Sequence, residues 1–428
     1  MAFRFVHTGD LHLDSPFIGL STEAPANVVA TLRESTISAW RNIIELALEE
    51  EADFLLVAGD AFERANRTLR GQLVFRDGLK RLSDAGIPSY VVTGNHDPLD
   101  GWEPSVAWPE LAHRFPAHEI TSQPVLRGDD EIARIHGISY HQRDIKTNLA
   151  KRFEREAETA FAIGLLHTNV GGLEGHANYA PCTLTDLRES GMDYWALGHI
   201  HAHRVLSKER PTIVYCGNPQ GRDPGETDAR GCYLVDVDDA GRVTPEFRVV
   251  DVVRWQVLDV PIAQIDAEEE LIEAVSGAVD AARSDVGRSI VARVQLTGRG
   301  PMHASLARGG VADDVLTAAR ESLGTAEPFA WIESLRDHTR PDVNLEERRK
   351  ADDFVGDLLR HLDETRSSLS EDADDTPASE ELDEVLGDLY GHTRARRYLK
   401  SSRPGATDIA RLLDDAEAML LDRLGDED

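Results

Sequence analysis

Apolar residues in the first half of the chain fall into two kinds of run. Short continuous runs occur at Phe3–Thr8, Asp53–Ala58, Pro88–Thr93, Phe161–Leu166 and Asp193–Leu197. Their length and their β-branched and aromatic content predict buried strands. Between them, residues 27–50 set Leu32, Trp40, Ile43, Ile44, Ala47 and Leu48 at helical spacing, and residues 69–85 read as a second helix. Strands alternating with helices predict an α/β arrangement. From Thr212 the runs shorten, at Thr212–Cys216, Gly231–Val237 and Thr244–Val250 around an Asp238-Asp239-Ala240-Gly241 turn, which predicts the second sheet of a sandwich.

Two further patterns follow. From about Trp255 to Glu333 the chain reads as strand (Gln256–Val260), helix (Glu268–Ser284), strand (Ser289–Thr297), helix (Val311–Glu321) and strand (Phe329–Glu333), a small α+β unit. Beyond it, Asp352–Leu369 gathers Phe354, Val355, Leu358, Leu359 and Leu362 on one helical face, and Asp408–Leu424 gathers Ile409, Leu412, Leu413, Ala416, Met419 and Leu420. An acidic linker, Ser370–Glu380, separates them. Such helices either pack back on their own chain or offer a face to a partner. The expected domains are therefore residues 1–252, 253–340 and 341–428.

Polar residues concentrate just after the predicted strands. Asp10-Leu11-His12 follows the first, Gly59-Asp60 the second and Gly94-Asn95-His96-Asp97 the third; His167 and Gly198-His199-Ile200-His201 follow two more. The carboxyl ends of strands are where α/β sheets place ligand sites. Carboxylate, imidazole and amide side chains form a mixed nitrogen and oxygen donor set, suited to divalent manganese, iron or zinc rather than to calcium. A carboxylate has two oxygens and can join two cations about 3.5–4 Å apart, and Asp60 is the natural bridge. His199 and His201 share one side of an extended segment, with Ile200 turned inward, and His203 shares their parity. Asp97 could orient His96 or close the turn. His7, His113, His118, His136, His141, His176, His361 and His392 lack strand-end placement and read as ordinary.

Composition changes this picture in three ways. Among 428 residues, 77 are acidic and 46 basic, a net charge of -31, which opposes a polyanionic partner unless a local basic groove exists. The acid is spread along the chain and the cations are mostly arginine, resembling halophilic proteins. Three cysteines, Cys182, Cys216 and Cys232, include no CxxC pair, which fits a reducing cytoplasm. No run approaches the roughly 18 apolar residues of a membrane span, and Met1–Val6 shows no signal-peptide pattern, so a soluble cytoplasmic protein with no membrane partner is expected.

The ordered set of motifs resembles the calcineurin-like metallophosphoesterases over roughly the first 250 residues. The strings Asp10–Phe17, Leu166–Val170, Asn178–Cys182, Asp193–His201 and Gly217–Arg222 are similar to SbcD-type DNA repair nucleases, nearest the YhaO-type branch. The resemblance implies a metallophosphoesterase β-sandwich flanked by helices, a small α+β capping domain and a helical C-terminal tail. It implies that Asp10, His12, Asp60 and His201 hold one metal ion, usually manganese, and Asp60, Asn95, His167 and His199 the other. His96 would stabilise the transition state or protonate the leaving oxygen. Where the family commonly has Asp or His after the aromatic that follows Gly-Asp, this chain has Glu63, expected to stand behind the ligands.

The same resemblance implies DNA as substrate and a coiled-coil ATPase, SbcC-type or YhaN-like, docked on the C-terminal helices, and it leaves a homodimer open. Arg64, Arg67, Arg70, Arg143, Arg204 and Arg222 lie near the strand-end loops and are candidates for phosphate contact. Two other functions compete with a nuclease: a phosphodiesterase or phosphatase for small substrates, using the same metals, and a scaffold with a structural metal site.

Overall fold

A computed structural model of the chain describes residues 1–15, 24–63, 68–99, 106–157, 159–172, 177–324, 326–368 and 406–424. In chain order its first elements are β1 (Phe3–Thr8), α1 (Ala26–Glu49), β2 (Phe54–Ala58), α2 (Leu69–Asp84), β3 (Ser89–Val92), β4 (Ala112–Arg114), β5 (Thr121–Arg127), β6 (Asp130–Gly137) and β7 (Ala162–His167). They continue with α3 (Leu184–Glu189), β8 (Tyr194–Gly198), β9 (Arg204–Ser207), β10 (Thr212–Tyr215), β11 (Gly231–Val237) and β12 (Val243–Val249). The strands form two six-stranded sheets, ordered β12-β11-β1-β2-β3-β4 and β5-β6-β7-β8-β10-β9.

Side-chain alternation explains the layers. On β2, Phe54, Leu56 and Ala58 face the other sheet, while Leu55 and Val57 face α1 and α2. On β8, Tyr194 and Ala196 meet them across the sandwich, and Trp195 and Leu197 pack on the outer layer with Phe153 and Leu187. A strand buried on both faces needs apolar residues at every position, hence the continuous runs. The fold is thus mixed α/β, with two stacked sheets flanked by helices.

The second sheet differs from the expected one. Its central strands are β7 and β8, joined by β10, whereas β11 and β12 return to the first sheet and pair antiparallel beside β1. Strands β4 and β5 escaped the sequence reading because they are short or half-exposed, and β6 because Glu131, Arg134 and His136 interrupt its apolar positions. Parallel pairing of β1, β2 and β3, and of β7 and β8, brings the carboxyl ends within each sheet to one edge.

The remaining elements are β13 (Val253–Pro261), α4 (Glu268–Val286), β14 (Ser289–Thr297), α5 (His303–Ala307), α6 (Val311–Leu323), β15 (Ala330–Asp337), α7 (Leu345–Lys350), α8 (Phe354–Ser368) and, numbered next, α9 (Ala406–Leu424). β13, β14 and β15 form a three-stranded sheet in that order. Two compact units emerge, one comprising Met1–Val257, Val279–Arg293 and Leu323–Glu333, the other Leu258–Ala278, Val294–Ser322 and Ser334–Asp428. Within the second, Val355, Leu359 and Leu362 of α8 bury Leu421 of α9, and the Glu417 carboxylate accepts from Arg299 at 2.7 Å and pairs with Arg366 at 3.0 Å. The predicted linker Ser370–Glu380 lies outside the described residues. Among the described residues no helix is long and apolar enough to cross a membrane.

Candidate metal centre

The strand-end loops adopt unusual backbone conformations. Asp10, His12 and Asp60 have φ of 48°, 44° and 51°, and His199 has 100°. Left-handed backbone costs energy for residues other than glycine, and Asp tolerates it better than most. Here the loops hold one another: Asp10 N donates to Gly59 O at 2.9 Å, His12 N to Asp60 O at 3.0 Å and Leu13 N to Ala61 O at 3.0 Å. Gly94 leaves room for the cluster, since a Cβ there would lie 2.3 Å from Asp60 Oδ1 and 2.7 Å from the His167 ring.

These loops bring six of the expected ligands together. His167 Nε2 lies 2.9 Å from Asn95 Oδ1 and 3.4 Å from Asp60 Oδ2. His12 Nε2 and His201 Nε2 face each other at 3.2 Å. Three donor groups have all their ligand atoms within 4.8 Å of one another: one is His12, Glu63 and His96, and the other two, which share Asp10, are Asp10, His12 and His201, and Asp10, Asp60 and His167. Asp10 belongs to both of these, and Asp60 to the second. His199 stands in none of the groups; its ring is 5.2 Å from that of His167, and its Nε2 meets the Ala177 carbonyl at 2.8 Å. His203, which parity left open, stacks on Phe247 at 3.7 Å.

The calcineurin-like phosphoesterase model matches residues 3–203, and the model for the middle domain of metallophosphoesterase YhaO matches 255–340. Over 368 residues the chain is 39% identical to the uncharacterized metallophosphoesterase YhaO of Bacillus subtilis, covering 86% of this chain and 88% of that one. The chain belongs to the calcineurin-like metallophosphoesterases. It is also 26% identical over 429 residues to the DNA double-strand break repair protein Mre11 of Haloferax volcanii, covering 97% and 86% of the two chains. With a subunit of the nuclease SbcCD of Bacillus subtilis it shares 26% over 256 residues, 50% of this chain and 61% of that one.

A metallophosphoesterase centre must hold cations, and the electrostatics here fit them. Asp10 and Asp60 are both about 1% exposed, so two carboxylates sit away from water. Burial pushes the Asp10 carboxyl up to about 6, against the pull of His167 and His201. Burial also works against protonation of His167, but Asp60 outweighs it and lifts this imidazole to about 9; Asp60 itself is held below the usual range, because His167 outweighs its desolvation. His12 is held down to about 3 by burial, with the Arg222 charge adding to it, so it stays a neutral nitrogen donor. Two facing imidazole nitrogens can share only one proton, whereas a divalent ion satisfies both lone pairs.

Two carboxylates stand behind the histidines: Glu63, which the sequence reading expected there, and Glu226, which it did not single out. Glu63 Oε1 lies 2.6 Å from His96 Nδ1, and its other oxygen is 3.4 Å from His12 Nδ1. Burial pushes the Glu63 carboxyl up, but its bonds to His12 and His96 outweigh this and hold it below the usual range. Glu226 Oε1 bonds His201 Nδ1. Asp97 does the other of its two expected jobs: it accepts from Gly94 N at 2.6 Å and from Ala61 N at 2.8 Å, closing the turn, while Glu63 takes the His96 ring. His96 N donates to Asp60 Oδ1 at 2.8 Å, which fixes its loop against a ligand.

The arginines divide. Arg222 is 3.9 Å from Glu63 and mostly buried beside the centre. Arg70 is engaged by Asp14 and Glu34. Arg143 and Arg204 are exposed. Arg64 and Arg67 lie outside the described residues, as does His176.

Proposed function

We propose that this chain is a two-metal DNA repair nuclease, an exonuclease and single-strand endonuclease that hydrolyses phosphodiester bonds at DNA ends with manganese. The observation that carries the reading is the convergence of Asp10, His12, Asp60, Asn95, His167 and His201 on one small volume, in a chain related to one protein named for DNA double-strand break repair and another named a nuclease subunit. Asp10, His12, Asp60 and His201 are assigned to one cation, and Asp60, Asn95, His167 and His199 to the other. When bound, such a pair supplies Lewis acidity to the phosphate and a nucleophile at neutral pH.

The side chains of the chain do the rest. His96 is the proton donor to the leaving sugar oxygen: Glu63 occupies its Nδ1, which assigns Nε2 to the substrate side. Burial opposes its protonation, and Glu63 and Asp60 outweigh it, so the ring is more readily charged than an ordinary histidine. Arg222 contacts a phosphate oxygen near the centre, with Arg64, Arg67 and Arg143 along the flanking DNA. Residues 253–340 narrow access as a capping domain, and α8 and α9, in residues 341–428, receive a coiled-coil ATPase of the SbcC or YhaN-like kind. The working compartment is the cytoplasm.

End-labelled duplex and single-stranded DNA incubated with purified protein and Mn2+ test the reading. Degradation by the wild type and none by Asp60→Asn is expected; intact DNA in both would sink it. A phosphodiesterase for small substrates is the second reading, favoured by the net charge of -31. It gains if a cyclic nucleotide is turned over much faster than DNA.

A further inference from the structure

His201 is held from behind by a buried network. Its Nδ1 bonds Glu226 Oε1, and Glu226 Oε2 accepts from Asn218 Nδ2 at 3.0 Å and from Arg222 N at 2.7 Å. Arg230 Nη1 donates to Asn218 Oδ1 at 3.0 Å and to the His201 carbonyl at 2.7 Å, while Asn218 N donates to the same carbonyl at 3.0 Å. Both the backbone and the ring of His201 are therefore clamped by Asn218, Glu226 and Arg230, which are at most 8% exposed. An imidazole that donates Nδ1–H to a carboxylate presents Nε2 as a lone pair and becomes a stronger ligand.

The two donor groups that share Asp10 are not backed alike. In the Asp10, His12 and His201 group, His201 has Glu226 behind it and His12 has Glu63 at 3.4 Å. In the Asp10, Asp60 and His167 group, His167 Nδ1 meets a neutral partner, the Ala58 carbonyl at 2.9 Å. The first group's imidazoles are thus backed by carboxylate side chains, and the second group's by a backbone carbonyl.

We propose that Glu226 is a positioning residue that sets the tautomer and ring angle of His201, and thereby governs the affinity of one metal position without governing the other. The inference rests on the dinuclear reading of the site. Glu226 touches neither substrate nor the reacting atoms; it acts through His201.

Titration of the full chain with Mn2+, followed by calorimetry and electron paramagnetic resonance, tests it. The wild type is expected to take up two equivalents and show an exchange-coupled pair. Glu226→Gln keeps the volume but not the charge, and is expected to weaken one binding step by about 10–100-fold while the other stays unchanged. The coupled signal then gives way to the six-line spectrum of isolated Mn2+. Glu226→Asp, which keeps the charge but shortens the reach, should weaken the same step. In a His201→Ala background, Glu226→Gln should cause no further loss. Wild-type affinities in both Glu226 variants, equal loss of both steps, or additive loss in the double variant would each overturn the proposal. A wild type that binds no Mn2+ would instead remove the dinuclear reading itself.

Discussion

The Asp10 carboxylate accepts the His199 amide on both oxygens, at 3.1 and 3.0 Å, and so ties the end of β1 in one sheet to the end of β8 in the other. The same carboxylate belongs to two donor groups. Asp10→Asn keeps the volume but loses the charge and turns an NH2 toward the His199 N–H. Hydrolysis of bis(p-nitrophenyl) phosphate with Mn2+ should fall by about 10²–10³-fold, the order seen when one charge-stabilising group is removed. Retention of near wild-type turnover would contradict the central place given to Asp10.

His96→Ala separates proton donation from metal binding. The ring is absent from the two Asp10 groups, so Mn2+ affinity should hold. DNA cleavage should drop by about 10²–10⁴-fold. With p-nitrophenolate, a leaving group that needs no proton, the drop should be much smaller. An equal loss on both substrates would argue against a proton donor.

Gly94→Ala alters no ligand. Its Cβ would nevertheless fall 2.3 Å from Asp60 Oδ1 and against the His167 ring. The variant should fold, as judged by circular dichroism, yet bind Mn2+ more weakly and lose activity in proportion. Normal metal uptake would show that the cluster can shift to make room.

His7 offers a pH test away from the ligands. It is fully buried on β1 against Tyr194, and burial holds its imidazole down to about 3, with a backbone bond to Leu197 opposing. The unfolded chain binds the proton near pH 6.5 while the folded chain refuses it. Stability is therefore intact above that range and is lost as pH falls from about 6.5 toward 3. Between pH 7 and pH 5 the loss from His7 comes to about 2 kcal/mol. Urea unfolding at both pH values should show a smaller difference for His7→Asn than for wild type; an unchanged difference would mean that His7 takes up a proton in the folded state.

Much of the centre was legible because ligation demands particular residue types at strand ends, and Asp10, His12, Asp60, Asn95, His167 and His201 do converge. Their supports were harder to read. Glu226 acts on His201 from 25 residues away, in a stretch whose many acids look alike. Asp97 stands beside His96, yet its carboxylate faces amides of two different loops, a direction that spacing does not reveal. The sandwich was legible as a class from continuous apolar runs. Which sheet each strand joins was not, because β11 has the same pattern whether it extends one sheet or the other, and its pairing with β1 is set by the open edge it finds.

The left-handed turns at Asp10 and Asp60 have a consequence for inactive variants. Asparagine is among the few residues that tolerate this backbone region nearly as well as aspartate, so Asp→Asn at these positions removes a charge while leaving the loops able to close as before. Alanine or valine would strain the turn and blur chemistry with misfolding. The asparagine forms are therefore expected to be inactive yet folded, and suited to trapping an uncleaved substrate.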